Sequence, residues 1–274
     1  MTADIQIESL TVTCLMVTAA MCILAVLVAW YTVRDRIQLS QIILGVFCYV
    51  LVMLLENIFD LVSLNLGLPQ QGLPHGLYVV LSVVAARELI RFAAMKYGVR
   101  GNFDKTDAAI GFAIGFGGLY LCVCGAYYFN CYSVASEFLK TGMDSFVANS
   151  GSDAQEALDL LRTISQQGPW EFIATGLNRV FFLVREIALC VLLWYAMAED
   201  GKKMFYGLIP LMHFLAVLPD GLFQGDVLTN CYVRDGITCV LSAGIAFLAA
   251  RQYNAKEDQV SHFKVEHLYA KRRK

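Results

Sequence analysis

Seven apolar stretches dominate this chain, most of them as long as a helix must be to cross a hydrocarbon core of about 30 Å. They lie near Thr11–Val33, Gln41–Leu66, Leu73–Met95, Asp107–Phe129, Trp170–Met197, Met204–Phe223 and Gly236–Ala250. The last is short and reaches span length by starting earlier, at Val227. Lipid offers no partner to an open sheet edge, so such stretches fold as helices. Composition agrees: 58% of residues are hydrophobic and 16% charged, against about 45–50% and about 25% in soluble domains. A soluble fold of this size has no interior large enough to hide that surface. The formal charge of -2, with no basic patch interrupting the apolar runs, excludes a nucleic-acid-binding chain. The expected fold is all-α, a polytopic transmembrane helix bundle of about seven spans. It forms a single integral membrane domain over residues 1–274, in a cell membrane.

Orientation follows from Lys and Arg in the short loops. Arg34 and Arg36 follow the first span; Lys96, Arg100 and Lys105 follow the third; Lys202 and Lys203 follow the fifth. The segment 251–274 reads as a basic cytoplasmic tail ending Lys271-Arg272-Arg273-Lys274, while Met1–Leu10 carries only Asp4 and Glu8. The N-terminus is therefore expected outside and the C-terminus inside. The sizeable loop, 130–169, is expected to be external. Within it Ala154, Ala157, Leu158, Leu161 and Ile164 share a face of an amphipathic helix over Ser152–Ser165. That helix serves as a connector, lies on the membrane, or covers a cavity. Most of the nine cysteines fall within spans, where a small apolar residue suffices. Cys131 and Cys231 lie in the external segments, and a disulfide between them is open.

A charge at the bilayer centre costs about 2.5–3.5 kcal/mol on insertion scales, so each needs a reason. Span two carries Glu56 and Asp60, four apart; span three carries Arg87, Glu88 and Arg91; span five carries Asn178-Arg179 and Arg185-Glu186; span six carries His213 and Asp220. Two readings stand open. In one, acids and a histidine converge on a watered site that activates water or binds a ligand. In the other, five acids pair with four arginines across helices. The near balance of charge favours pairing.

At these residues the chain resembles the YhfC family of intramembrane metalloproteases, distant relatives of the CAAX-processing type of membrane peptidase. The likeness covers almost the whole chain: span order, the helix-bearing loop between spans four and five, and five motif neighbourhoods. The family's Leu-Glu-x-x-x-His reads Leu55-Glu56-Asn57-Ile58-Phe59-Asp60, with Asp60 where histidine is usual. Its Glu-Glu-x-x-Arg-Tyr reads Arg87-Glu88-Leu89-Ile90-Arg91-Phe92. Its Gly-His-Gly-Gly-x-Glu reads Gly115-Phe116-Gly117-Gly118-Leu119-Tyr120, and its Gly-x-Glu-Arg reads Gly176-Leu177-Asn178-Arg179. Its His-x-x-x-Asp keeps His213 and has Val217 in place of the aspartate.

Glycines and arginines of the motifs survive, whereas metal-binding and proton-moving positions are mostly replaced. The resemblance implies the protease fold in a catalytically impaired member, a pseudoprotease, that binds membrane segments. Its cavity would be lined by Glu56, Glu88, Arg91, Arg179 and His213. The alternative it leaves is an active peptidase with a rearranged site, in which Glu88 is the base, His213, Asp60 or Glu56 polarises the carbonyl, and a divalent metal such as zinc is bound. A transporter or membrane sensor is a third reading, with no inverted repeat in its favour. Expected partners are the lipid bilayer and a transmembrane segment of another protein, not nucleic acid.

Overall fold

A computed structural model describes residues 5–99, 106–151, 154–198 and 204–272, with side chains for all of these except 150 and 255–272. The described residues form eight α-helices and one π-helical turn. They are α1 (Ser9–Val33), α2 (Leu39–Asn65), α3 (Gly72–Ala93), the π turn Ala94–Val99, α4 (Thr106–Ser150), α5 (Ala154–Ser165), α6 (Pro169–Ala198), α7 (Phe205–Gln224) and α8 (Cys231–Arg272). Six of them, α1, α2, α4, α6, α7 and α8, are long and apolar enough to cross a membrane. The third apolar stretch is also a helix, but Arg87, Glu88 and Arg91 in its second half set α3 apart from those six.

Helix directions show what α3 does. Tyr78 donates to the Phe59 carbonyl at 2.6 Å, and a Cβ on Gly98 would touch Leu44, so α3 and its π turn run back along α2. Farther on, Gly111 faces Gln41 and Gly115 faces Ile42, so α4 lies parallel to α2. Parallel neighbours require a return pass between them. With 22 residues, α3 is about 33 Å long, enough to traverse the same thickness as the helices beside it.

The α2–α4 crossing explains two of the chain's glycines. A Cβ on Gly115 would lie 2.0 Å from the Ile42 carbonyl oxygen, and one on Gly45 would lie 2.1 Å from that of Phe112. Backbone meets backbone there, an approach that only glycine permits and that membrane helices use in place of a hydrophobic driving force. The α3–α7 crossing repeats the device with Gly76 against Gly221.

The hub is α6, which packs against α1, α4, α7 and α8. Its second half, Ala188–Met197, is buried on every side, with Phe112, Phe116 and Tyr49 in the same cluster. A helix apolar all round is what such a central position demands.

Two boundaries differ from the sequence expectation. The fourth helix does not stop at Phe129 but continues to Ser150, kinking at Gly142, whose φ of 73° lies in the left-handed region. So much of the segment 130–169 is helix. The last span begins at Cys231, not Gly236, which brings Arg234 and Asp235 into α8. The amphipathic helix is present as α5, with Leu161 and Ile164 buried against Phe146, Phe172 and Cys131. Cys131 and Cys231 are free thiols. Arg100, Lys105, Lys202, Lys203 and the side chains of the tail's Lys271 to Lys274 lie outside the described residues.

Candidate functional site

The charged positions singled out in the sequence form two connected groups inside the bundle. The first joins α3, α6 and α7. Arg91, wholly buried, donates through Nη1 to Glu88 and through Nη2 to Glu186, so one guanidinium bridges two carboxylates on different helices. His213 completes the set from α7: its Nδ1 lies 2.6 Å from Glu88 Oε1 and its Nε2 3.8 Å from Glu186 Oε1. A carboxylate can only accept, so the Nδ1 side of the ring carries the proton donated to Glu88. Helix periodicity places Glu88 and Arg91 three apart on one face of α3. A Cβ on Gly117 would meet the Glu186 side chain at 3.2 Å, so this motif glycine gives Glu186 its room.

The second group joins α2, α3, α4, α6, α7 and the start of α8. Arg87 pairs with Glu56 at 3.0 Å. Arg179 donates to the Tyr120 hydroxyl. Asn178 donates to Asp235 Oδ1 at 2.7 Å, and Arg234 holds both oxygens of the same carboxylate at 2.8 and 3.0 Å. Asp220 lies 3.7 Å from Arg234 Nε. Arg185 joins the two groups: its Nη1 donates to the Ala216 carbonyl at 3.3 Å and its Nε stands 3.9 Å from Glu186.

Asp60 is outside both groups. It is exposed on α2. Conversely, Arg234 and Asp235 belong to the network although the apolar stretch that flagged the last span begins just after them. The signal for them was the shortness of that stretch: a full-length span reaches back over the Arg-Asp pair.

Two aromatic rings of α4 sit on the arginines. Phe116 lies under Arg91, 5.5 Å from its guanidinium carbon to the ring centre. Tyr120 lies under Arg87 at 5.8 Å and under Arg179 at 5.3 Å. These are cation–π distances, and in a dry interior such contacts partly replace lost hydration. So the ring at each position meets a cation.

A profile of the family described as YhfC intramembrane metalloprotease matches residues 20–238. The chain belongs to that family. It is an integral, multi-pass membrane protein, a member of a membrane protease family with six apolar membrane-spanning helices. No curated protein and no solved structure matches it.

The family's description implies a metal, and the residues present can be tested for it. Two buried atoms without hydrogen-bond partners, His213 Nε2 and Glu186 Oε1, face one another. They are two donors, whereas zinc sites take three or four protein ligands. Among the described residues no three His, Cys, Asp or Glu side chains converge as a ligand set. Arg91 already occupies the space between the carboxylates, and Arg185 stands beside the same Glu186 oxygen. A divalent cation there would meet two guanidinium groups. The residues do not fit a zinc ion.

Proposed function

We propose that this YhfC-family chain keeps the protease scaffold, lacks the metal chemistry, and holds a transmembrane segment of another protein without cutting it. The observation that carries the reading is Arg91: its guanidinium clamps the two carboxylates that a catalytic metal and its base would need free. The rings on Arg91, Arg87 and Arg179 support it, because they make the altered positions a packed set and not a site with pieces missing. A lipid-facing crevice of about 410 Å³ between α1 and α6, lined by Leu24, Val28, Val180 and Leu183 among others, offers the partner helix an apolar seat.

One contact favours a second reading, an active peptidase in which Glu88 is the base. Glu88 and His213 do meet, at 2.6 Å, and the Glu88 side chain keeps 13% exposure. Against it, a single Glu88 oxygen accepts from both His213 and Arg91.

Cleavage of single-span reporter proteins by the purified protein, incubated with zinc and other divalent ions, separates the two. The expected outcome is intact reporter, with photo-crosslinking from position 28 capturing the reporter span. Metal-dependent cleavage that disappears in Glu88→Gln would overturn the proposal and establish the second reading.

A further inference from the structure

Cations outnumber acids at one place in the bundle. A cavity of about 170 Å³ lies among α3, α4, α6, α7 and α8, beside the Arg91 cluster. Arg87, Arg179, Arg185 and Arg234 line it, together with Tyr120 and, among the described residues, one carboxylate, Asp220.

Two of the four arginines are accounted for. Arg87 has Glu56, and Arg234 has Asp235 and Asp220. The other two are not. The carboxylate nearest Arg185 is Glu186, 3.9 Å away and already held by Arg91; Arg185 Nε is buried with no hydrogen-bond partner, and the residue is 2% exposed. Arg179 donates to Tyr120, has no carboxylate within 4 Å among the described residues, and likewise has a buried Nε without a partner. Two guanidinium groups thus reach one polar cavity inside a membrane bundle with spare donors and no anion of their own. Arginine cannot shed its proton to escape that cost.

We infer that this cavity is an anion site and that its ligand is a phosphate group. One arginine fork saturates a carboxylate, so the two unanswered arginines, with Arg87 and Arg234 lining the same cavity, exceed what a carboxylate needs. A phosphate, tetrahedral and with three or more accepting oxygens, uses several forks at once. The volume is below the roughly 300–1,000 Å³ of pockets for drug-sized ligands, which suits a phosphate and its first substituent but no folded peptide. The cavity runs from the middle of α3 and α6 to the end of α7 and the start of α8, with Phe223, Gln224 and Arg234 in its wall at that end. That position is reached either by the headgroup of a membrane lipid or by a phosphate from solution. The inference rests on this charge arrangement and holds whether or not the chain cleaves peptide bonds.

The test uses the full-length protein in phosphatidylcholine nanodiscs. One arm adds inorganic phosphate, with sodium chloride at matched ionic strength as control; a second replaces part of the lipid with phosphatidic acid. The readouts are the midpoint of thermal unfolding and bound phosphorus by native mass spectrometry. Saturable stabilisation by inorganic phosphate identifies a phosphate from solution. Stabilisation with retention of phosphatidic acid alone identifies a lipid headgroup. Either supports the site when Arg179→Gln weakens the apparent affinity by about tenfold or more while Arg162→Gln, exposed on α5, does not. If Arg179→Gln does not fold, Arg179→Lys, which keeps the charge and loses the fork, is held to the same criterion. A response equal to the chloride control in both arms, or binding unchanged in the Arg179 variant, overturns it.

Discussion

Arg91 is the residue on which the interior depends most, because it answers two carboxylates and has no exposure to water. Removing one member of a buried charge set leaves the others uncompensated, at a cost of about 3–5 kcal/mol. Arg91→Met is therefore expected to lower stability by that order, read from thermal or denaturant unfolding in detergent. Adding Glu186→Gln to it should cost less than the sum of the single changes, since the double variant removes the stranded charge as well. A double-mutant cycle measures that coupling, and strict additivity would show that the two side chains do not depend on each other. The participants were readable in the sequence, because each is a charge placed where charge is expensive. The pairings were not. Glu186 is clamped by Arg91 on another helix, while Arg185, its chain neighbour, stands 3.9 Å off; consecutive residues on a helix do not share a face. Asp60 differs in another way. Its spacing from Glu56 suggests a common face, yet Glu56 turns in to Arg87 and Asp60 stays exposed.

Among the elements, the α2–α4 crossing is the tightest and the least tolerant of change. Gly115→Leu places a side chain where the Ile42 carbonyl already stands. Overpacking of a rigid contact costs about 1–3 kcal/mol or more, so the variant is expected to melt earlier and to expose α2 to limited proteolysis; an unaltered melting curve would contradict the crossing. The helix α5 makes a milder case. Leu161 is fully buried at the end of the bundle beside Phe146 and Phe172, and Leu161→Ala is expected to cost about 2–5 kcal/mol of local stability. Faster hydrogen exchange confined to α5 and the end of α4 would report it. The apolar face of α5 was legible because its period is helical. The extension of α4 beyond Phe129 was not, since its residues are too polar to mark a span. It is held instead by Cys131, Ala135 and Phe146 packing under α5, a contact between elements that hydropathy along the chain does not register.

For the whole molecule, six helices meet the criterion of length and apolarity, and α3 runs back along α2 between the parallel α2 and α4; if that pass crosses the membrane as well, seven crossings are predicted. An odd number of crossings puts the two termini on opposite sides. With the basic loops held inside, a reporter fused at the C-terminus should be active only as a cytoplasmic fusion, and one fused at the N-terminus only as an external one. The same side for both would contradict the return pass. The architecture was legible at this scale because hydrophobic length is written residue by residue; the state of the site was not, because it depends on whether a guanidinium or a metal lies between Glu88 and Glu186. The most direct measurement is therefore metal stoichiometry. The purified protein is loaded with zinc, desalted and measured by inductively coupled plasma mass spectrometry, with His213→Ala in parallel. No retained zinc is expected above the His213→Ala background. About one zinc per chain, the occupancy of a formed site, lost on His213→Ala, would contradict it.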